Sequence, residues 1–282
     1  MDLAEIRRTI AVSIASDDVL VDRFVLKGGN ALELVFGIGA RASLDLDYSI
    51  EGDLEDVDDV RARLQRALAD RFDSAGFVVF DYKFEPRPQV ARVPGQRWGG
   101  YLAEFKLIPN ELFRRLDGDL ESIRKQATPS GPAHHRKFTI DISKYEYIKG
   151  AIDMTIDEYR CSVYTPAMIA VEKLRALCQQ SRHYPQRKHP APRPRDFYDI
   201  HAIVVQTSLD LAAPAQIETL KQMFAIKEVP LWLLGGLEEQ REFHRQEWTA
   251  VIDAVRGTLR EFDFYFDFVL EKVEALKPLW NE

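Results

Sequence analysis

The spacing of apolar residues changes near residue 165 of the chain. Before that point, short runs alternate apolar and polar residues with the period of two that β-strands have, and helical stretches separate them. After it, apolar residues recur every three to four positions, as on one face of a helix. The pattern predicts an α+β fold, in which an amino-terminal part with a mixed, mostly antiparallel sheet and helices precedes an all-helical carboxy-terminal part. We place the two domains at residues 1–160 and 161–282.

Five runs in the amino-terminal part have the pattern of strands. The predicted strands are residues 24–29, 43–50, 77–84, 101–108 and 137–143. We expect Asn30 to cap a short helix, and Asp53 together with Asp56 to cap the next one. In the carboxy-terminal part, Thr165 followed by a proline predicts a helix start.

The strand predicted at residues 43–50, SLDLDYSI, carries two aspartates two positions apart. Asp45 and Asp47 therefore project from the same face of the strand. A third aspartate, Asp141, stands alone in the apolar strand FTIDIS, where an unpaired buried carboxylate would be costly. Mg²⁺ prefers oxygen ligands, and two such cations can stabilise the attacking and leaving oxygens of nucleotidyl transfer. We expect Asp45, Asp47 and Asp141 to hold magnesium.

A glycine pair, Gly28 and Gly29, lies between Lys27 and Asn30 ahead of these aspartates. A glycine turn at the start of a helix lets backbone N–H groups approach phosphate oxygens closely. Each of these features alone is more often structural than functional. Their order and spacing together favour a metal-dependent site for a nucleoside triphosphate.

Composition narrows the class of protein. With 282 residues, 46% of them hydrophobic and 29% charged, the chain has the make-up of a folded globular protein. It has no apolar run of the ~20 residues that a membrane-spanning helix needs, and its start lacks a signal-peptide pattern. Its two cysteines are too few for a disulfide framework. We therefore expect a cytoplasmic protein with reduced thiols and no membrane partner.

One segment contrasts with the overall charge. The net charge of −7 argues against nonspecific coating of nucleic acid, whereas residues 182–195 contain four prolines, five basic residues and no acid. The segment is either a solvated loop between two helices or a surface for an anionic partner, and beside a nucleotidyltransferase core RNA is the better reading. Arg87, Arg92 and Arg97 would extend such a surface. The basic residues of the segment are Arg182, Arg187, Lys188, Arg193 and Arg195.

Four segments together resemble a known family: LKGGNAL, RASLDLDYSI, EKLRAL and RPRDFYDI. The glycine pair followed by Arg41, Ser43 and the two aspartates is similar to the signature of the nucleotidyltransferase superfamily with a polymerase-β-like palm. More narrowly, the four segments resemble the AbiEii/AbiGii-type toxins. The resemblance implies a palm domain, the role of toxin in a bacterial toxin–antitoxin pair linked to abortive infection, and a separately encoded antitoxin. Asn30 is a departure, because the superfamily commonly has serine or threonine there.

The resemblance also implies that Lys173 and Asp196 of the helical domain join the active site. An ammonium at residue 173 would neutralise the triphosphate, although a lysine on a helix is usually solvated. Asp196 and Asp199 also match a helix-capping pair, and we favour Asp196 for catalysis because the motif places it there. Arg41 either pairs with a carboxylate or contacts phosphate. Because a phosphate on Ser43 would compete for the cations of the neighbouring aspartates, its modification is a hypothetical off-switch.

These observations predict a Mg²⁺-dependent enzyme that transfers a nucleoside monophosphate from an NTP to an RNA acceptor, which blocks translation and growth. The resemblance points to the 3′ end of tRNA, since several members of the family look like tRNA-modifying toxins. Two alternatives stay open: the same chemistry on a protein hydroxyl or a small molecule such as an aminoglycoside, and a degenerate palm that only binds a partner. The predicted nucleotide-binding residues are Lys27, Gly28, Gly29, Asn30, Arg41, Ser43 and Lys173.

Overall fold

A computed structural model describes residues 1–38, 45–89, 98–131, 135–184, 186, 189–255 and 258–280. The chain divides into two compact units, each with its own core. The first unit comprises Met1–Val35, Ser43–Ile148 and Ile152–Val163. The second comprises Phe36–Ala42, Lys149–Ala151 and Tyr164–Glu282.

The first unit contains a seven-stranded mixed sheet with the strand order β3-β4-β5-β2-β1-β7-β6. Two neighbouring pairs, β1 with β7 and β2 with β5, are parallel, and the other four pairs are antiparallel. The predicted mostly antiparallel sheet of an α+β fold is therefore confirmed. The strands are β1 Val25–Lys27, β2 Leu46–Ser49, β3 Phe77–Arg87, β4 Gly100–Pro109, β5 Phe138–Ser143, β6 Ile152–Ile156 and β7 Tyr159–Val163.

Within the described residues, six α-helices accompany the sheet. They are α1 Leu3–Ala15, α2 Asp18–Arg23, α3 Gly28–Ala31, α4 Val57–Ser74, α5 Asn110–Arg115 and α6 Leu120–Lys125. Helix α3 continues directly into a π-helical segment, Leu32–Phe36. Helix α4 packs against α1 and β3, and its apolar stripe at Leu64, Leu68 and Phe72 is fully buried. The apolar periodicity of α4 thus fixes the layer that covers this part of the sheet.

Two local predictions in the first unit are wrong. The N-cap of α3 is Lys27, not Asn30, which lies inside the helix. The N-cap of α4 is Asp56, and Asp53 instead contacts the Tyr101 hydroxyl and, at 2.6 Å, the Lys144 ammonium. Both errors have one cause, because an Asn or Asp side chain that binds a distant partner gives the same sequence signal as a cap.

Strands β6 and β7 lie outside the five predicted strands. Strand β6 forms an edge of the sheet and is mostly exposed, so its sequence lacks the alternation of a half-buried strand. Strand β7 pairs in parallel with β1 and completes the sheet on that side.

The elements of the second unit that the structure describes are helices, which confirms the predicted helical carboxy-terminal part. Thr165 caps the first of them, as predicted, because its side chain accepts the N–H of Met168. No described helix is long and apolar enough to cross a membrane. The α-helices are α7 Pro166–Cys178, α8 Pro194–Thr207, α9 Pro214–Ala225, α10 Arg241–Arg245, α11 Thr249–Ile252 and α12 Phe262–Glu274, and the 3-10 turns are Leu231–Gly236, Glu238–Gln240 and Lys277–Leu279.

The core of the second unit is aromatic where α8 meets α12. Phe197 of α8 packs on Phe262 and Phe266 of α12, with ring centroids 5.6 and 4.9 Å away. Helix α7 packs against both α8 and α9. The aromatic run after residue 260 is therefore core, as its helical periodicity predicts.

Candidate active site

Charged residues form a row across three adjacent strands of the first unit. Lys27 of β1 pairs in register with Asp47 of β2, and Asp47 pairs in register with Asp141 of β5. Residues in register on neighbouring strands project from the same face of a sheet, so the three side chains share one surface. The Lys27 ammonium lies 3.2 Å from the Ser143 hydroxyl, two positions beyond Asp141 on that same face. The sheet thus brings together one cation and two carboxylates that are far apart in sequence.

Gly28 lies directly against the Asp47 carboxylate. Its φ of +69° is a backbone conformation that residues with a side chain rarely adopt. A Cβ at this position would stand 2.7 Å from Asp47 Oδ2, closer than real contacts allow. The glycine is therefore required twice, by the backbone conformation and by the carboxylate beside it.

Asp45 lies just before β2, where its side chain is exposed. The Thr139 hydroxyl of β5 hydrogen-bonds its carboxylate. Its backbone carbonyl accepts a 2.6 Å hydrogen bond from the side-chain amide of Asn30, which is fully buried. The Asn30 side chain thus anchors the backbone of the first aspartate, and this contact is a different role from the predicted helix cap.

Asp141 has an unusual electrostatic environment. Burial raises the pKa of its carboxyl, while the positive charges of Lys27 and Arg87 act in the opposite direction without cancelling the effect. The Arg87 guanidinium lies 3.1 Å from the Asp141 carboxylate and is itself largely exposed. Arg87, which the sequence suggested for an RNA surface, is therefore a direct neighbour of the predicted metal ligands.

The chemistry of the three aspartates suits a hard divalent cation, because carboxylate oxygens are the ligands that such ions prefer. Within the described ranges, however, no three acidic, histidine or cysteine side chains are gathered tightly enough to hold a metal ion. The Asp45 carboxylate is engaged by Thr139 and that of Asp141 by Arg87. Metal binding would therefore exchange these hydrogen bonds for coordination.

A second charged cluster lies within the helical unit. The Lys173 ammonium of α7 lies 3.0 Å from an Asp196 oxygen and 2.6 Å from an Asp199 oxygen of α8. All three residues are buried, and Arg193 also pairs with Asp196. Burial alone would raise the pKa of Asp196, but the charges of Arg193 and Lys173 outweigh it and the pKa is lowered.

The capping role considered for Asp196 is wrong. The N-cap of α8 is Arg193 and Pro194 occupies the first turn, so Asp196 lies inside the helix with its carboxylate on Lys173 and Arg193. Lys173 is not the usual solvated helix lysine, since only 7% of its surface is exposed. Lys173, Asp196 and Asp199 therefore form one buried ion-pair cluster. This structural role holds whether or not they take part in catalysis.

His244 also belongs to this cluster, although no sequence motif singles it out. Its Nδ1 accepts the backbone N–H of Arg193 at 3.0 Å, which holds the start of α8 in place. Burial lowers the pKa of His244 to about 4, so the imidazole is neutral at physiological pH. A single histidine inside a helical stretch forms no motif with Arg193, which is 51 positions away.

The described basic residues of segment 182–195 all have protein partners. Arg182 pairs with Glu239 at 2.9 Å, Arg193 pairs with Asp196, and the Arg195 guanidinium lies 3.5 Å from the Ala250 carbonyl. The segment is thus more than a free basic loop, because its two ends are tied to the helical unit. Other predicted residues lie outside the described ranges: Arg41, Ser43, Arg92, Arg97, Arg187 and Lys188.

A match to a protein family identifies the class of protein to which this site belongs. Residues 11–268 match the family described as "Nucleotidyl transferase AbiEii toxin, Type IV TA system". The match spans most of the 282 residues, so the chain belongs to this family, and the predicted resemblance is confirmed. The protein is accordingly a nucleotidyltransferase of the toxin–antitoxin class, with a nucleotide substrate and an antitoxin as counterpart. No protein of curated function matches the sequence.

Several solved structures are similar to the chain at low identity. One, from H. pylori and provisionally assigned as a nucleotidyltransferase, has a TM-score of 0.48 and 15% identity, covering 98% of this chain and 94% of its own. JHP933 from Helicobacter pylori has a TM-score of 0.45 and 16% identity, covering 98% and 90%. An antigenic nucleotidyltransferase-like protein from Paracoccidioides brasiliensis has 0.38 and 14%, covering 90% and 95%. These likenesses are too distant to carry an argument about this site.

Proposed function

We propose that this nucleotidyltransferase requires Mg²⁺ and transfers a nucleoside monophosphate from an NTP to an RNA acceptor, with the 3′ end of tRNA as the acceptor to test first. The observation that carries the proposal is the in-register pairing of Asp47 with Asp141 on parallel strands, beside Asp45. Two carboxylates in register on adjacent central strands, with a third just before one of those strands, are the kind of donor set that nucleotidyl transfer needs.

Each member of the row has a separate task in this proposal. Asp45, Asp47 and Asp141 would hold the divalent cations, which when bound supply charge stabilisation to the attacking and leaving oxygens. An acceptor hydroxyl attacks the α-phosphorus, a new P–O bond forms, and the bond to the departing pyrophosphate breaks. The Asn30 amide keeps the Asp45 backbone in place through its 2.6 Å hydrogen bond. Preorganised ligands of this kind lower the cost of reaching the reactive geometry.

The triphosphate would be held near Gly28 and Gly29. A glycine without a Cβ lets a phosphate approach the backbone N–H groups, and at residue 28 the adjacent carboxylate leaves no room for a side chain. Lys27 places a buried positive charge in the same row, where it offsets the carboxylates in the absence of ligand. The proposed roles of Arg41, Ser43, Lys173 and Asp196 toward the nucleotide remain predictions.

An RNA acceptor accounts for the basic residues better than a small molecule does. An RNA end carries a hydroxyl nucleophile, and arginines of segment 182–195 would contact its phosphates in exchange for their present partners, as Arg182 would for Glu239. Modification of tRNA would stop translation and thereby arrest growth, which is the damage that an antitoxin would have to prevent. The antitoxin is a separate chain in this proposal.

Label transfer tests the proposal. The purified protein is incubated with Mg²⁺, total tRNA and each α-labelled NTP in turn, beside Asp45→Ala. We expect label on tRNA with wild type and none with Asp45→Ala or in EDTA. Label on a protein or on an aminoglycoside, and none on tRNA, would show that the acceptor is that molecule and not RNA. Absence of transfer with every NTP and acceptor would contradict the proposed reaction and favour a palm that only binds.

A further inference from the structure

Arg87 lies at the end of the edge strand β3 and reaches across the neighbouring strand to Asp141. It pairs in register with Gly100 of β4, and Gly100 pairs in register with Ser143 of β5. Residues in register project from the same face of a sheet, and Asp141, two positions from Ser143, shares that face. Because Gly100 has no side chain, the arginine can cross β4 at this point, and its guanidinium lies 3.1 Å from Asp141 Oδ2.

The pair with Asp141 holds Arg87 only loosely. The Arg87 side chain is 65% exposed, and its hydrogen-bond partner among the described residues is a single oxygen of the Asp141 carboxylate. Exposed ion pairs contribute little to stability, so the guanidinium can leave this carboxylate at small cost. Arg87 is therefore free to change its partner when another anion comes within reach.

A divalent cation on the three aspartates would release Arg87. The cation needs the Asp141 carboxylate as a ligand, and it repels the guanidinium because both are positive. In the metal-free protein, Arg87 thus occupies a carboxylate that the proposed reaction requires. Once the cation is bound, a second anion has to accept the guanidinium. Phosphate suits this exchange, because the N–H fork of an arginine matches phosphate as well as carboxylate.

Arg87 and the predicted phosphate-binding turn lie on opposite sides of the aspartates. Gly28 follows β1 and lies against Asp47 of β2, whereas Arg87 approaches Asp141 of β5 from β3. The order of the strands is β3-β4-β5-β2-β1, so the turn and the arginine stand at the two ends of the row. In an in-line displacement, the attacking and leaving oxygens lie on opposite sides of the α-phosphorus. Because the turn is proposed to hold the triphosphate, the acceptor comes from the side of Arg87.

We infer that Arg87 binds the last phosphate of an RNA acceptor after a divalent cation has displaced it from Asp141. That phosphate is the one nearest the reacting 3′ hydroxyl, so its ion pair with Arg87 orients the hydroxyl toward the α-phosphorus. A protein hydroxyl or an aminoglycoside offers no phosphate at this place, and Arg87 thus favours RNA among the acceptors. The inference rests on the proposed Mg²⁺-dependent transfer to RNA and names the residue that positions the RNA end.

Three variants isolate this contact. Arg87→Gln removes the positive charge, and it should fold because the ion pair that it loses is exposed. Arg8→Gln is the matched control, since Arg8 is half-exposed and pairs with Asp157 of the same unit, outside the row. Arg87→Lys keeps the charge without the fork and should recover part of the loss. Melting temperatures of the variants equal to that of wild type verify that folding is unaffected.

The experiment measures the affinity of each full-length protein for a short single-stranded RNA with a free 3′ hydroxyl by fluorescence anisotropy, in Mg²⁺ and in EDTA. A second RNA carries an uncharged methylphosphonate in place of its last phosphate. In Mg²⁺, we expect Arg87→Gln to bind the ordinary RNA about fivefold more weakly than wild type and Arg8→Gln. The methylphosphonate should weaken wild type to the same degree and have no further effect in Arg87→Gln. In EDTA, where Arg87 stays on Asp141, the difference between wild type and Arg87→Gln should shrink.

The salt dependence of RNA binding gives an independent count of phosphate contacts. Each phosphate of a single strand that a protein neutralises contributes roughly 0.7 to the slope of the logarithm of affinity against the logarithm of salt concentration. In Mg²⁺, the slope for Arg87→Gln should therefore be smaller than that for wild type by about 0.7, and the slope for Arg8→Gln should equal that for wild type.

Several results would overturn the inference. They are an RNA affinity of Arg87→Gln equal to that of wild type, a loss that the methylphosphonate does not reproduce, or a loss confined to NTP affinity, measured by calorimetry. The label-transfer assay separates this failure from failure of the proposed function. Transfer to tRNA with unchanged RNA binding in Arg87→Gln refutes only the role of Arg87, whereas the expected RNA binding without any transfer refutes only the reaction.

Discussion

A Cβ on Gly28 would stand 2.7 Å from Oδ2 of Asp47. The start of the predicted phosphate-binding turn and a predicted metal ligand are thus in direct contact, although they are 19 positions apart in the sequence. Backbone and carboxylate fit each other only if residue 28 has no side chain. The contact explains why a glycine precedes the aspartate pair in this chain.

Gly28→Ala should lose activity out of proportion to its loss of stability. A non-glycine residue at positive φ costs about 1–2 kcal/mol, and the added Cβ also displaces the Asp47 carboxylate. Gly76→Ala is the matched control, because Gly76 has a φ of +83° but no described atom within 4 Å of its Cβ position. We expect both variants to unfold at lower urea, and only Gly28→Ala to lose nucleotidyl transfer by at least about tenfold. Equal activity of the two variants would contradict the account.

Asp141 should destabilise the metal-free protein when it is ionised. Burial raises the pKa of its carboxyl in the folded state, so its stabilising contribution is complete below the ordinary value of 3.8 and is lost as the pH rises through the folded pKa. Asp141→Asn places a neutral group at this position, so its stability does not fall as the pH rises through the pKa of Asp141. In EDTA, the melting temperature of the variant should therefore rise relative to that of wild type when the pH is raised from 4 to 7. A shift toward wild type over the same range would show that the Arg87 contact dominates.

Lys173→Met should be strongly destabilising whether or not Lys173 contacts a nucleotide. It leaves the carboxylates of Asp196 and Asp199 buried with one cation fewer, which typically costs about 3–5 kcal/mol. Lys137→Met is the surface control, since its pair with Glu104 is partly solvated and worth about 0–1 kcal/mol.

Adding Asp196→Asn and Asp199→Asn to Lys173→Met should recover part of the lost stability, because the uncompensated charges then disappear. Urea unfolding of all the variants makes the comparison. No recovery would mean that packing of the lysine side chain, not charge, holds this cluster. Activity of the refolded triple variant then reports separately on the predicted catalytic role.

His244 should make the helical unit sensitive to mild acid. Burial lowers its pKa from 6.5 to about 4, so its contribution is complete above pH 6.5 and is lost as the pH falls toward 4. The difference corresponds to about 3 kcal/mol. His244→Asn retains an acceptor for the Arg193 N–H but does not titrate. The free energy of unfolding of wild type should exceed that of the variant at pH 7.5, and this difference should shrink at pH 5. An equal difference at both pH values would refute a lowered pKa of His244.

The sequence predicts the strands of the first unit where one face is buried and the other is not. Residues 101–108 and 137–143 form β4 and β5, whose alternating burial matches a half-buried sheet, whereas β3, predicted at residues 77–84, is partly buried along most of its length without alternation. The edge strand β6 lacks that alternation and was not predictable in this way. The predicted helix caps were wrong where an Asn or Asp side chain hydrogen-bonds a distant residue, as Asn30 does with Asp45.

The candidate site was predictable in its residue types but not in its register. Two aspartates two positions apart and a lone aspartate in an apolar strand indicate a site, yet their alignment requires β5 to lie beside β2 in parallel. Long-range strand pairing leaves no local signal in the sequence. The same holds for the contact of His244 with Arg193 and for that of Arg87 with Asp141, which join residues far apart in the sequence.

The central claim is that the row of Asp47 and Asp141 binds a metal-loaded nucleotide, and calorimetric titration of each NTP with and without Mg²⁺ tests it without assuming an acceptor. The variants are Asp47→Asn and, as a control, Asp22→Asn, whose carboxylate pairs with Arg160 on the surface. The account predicts that Mg²⁺ strengthens NTP binding by at least about tenfold in wild type and Asp22→Asn and has no effect in Asp47→Asn. Mg²⁺-dependent binding that survives Asp47→Asn unchanged would contradict it.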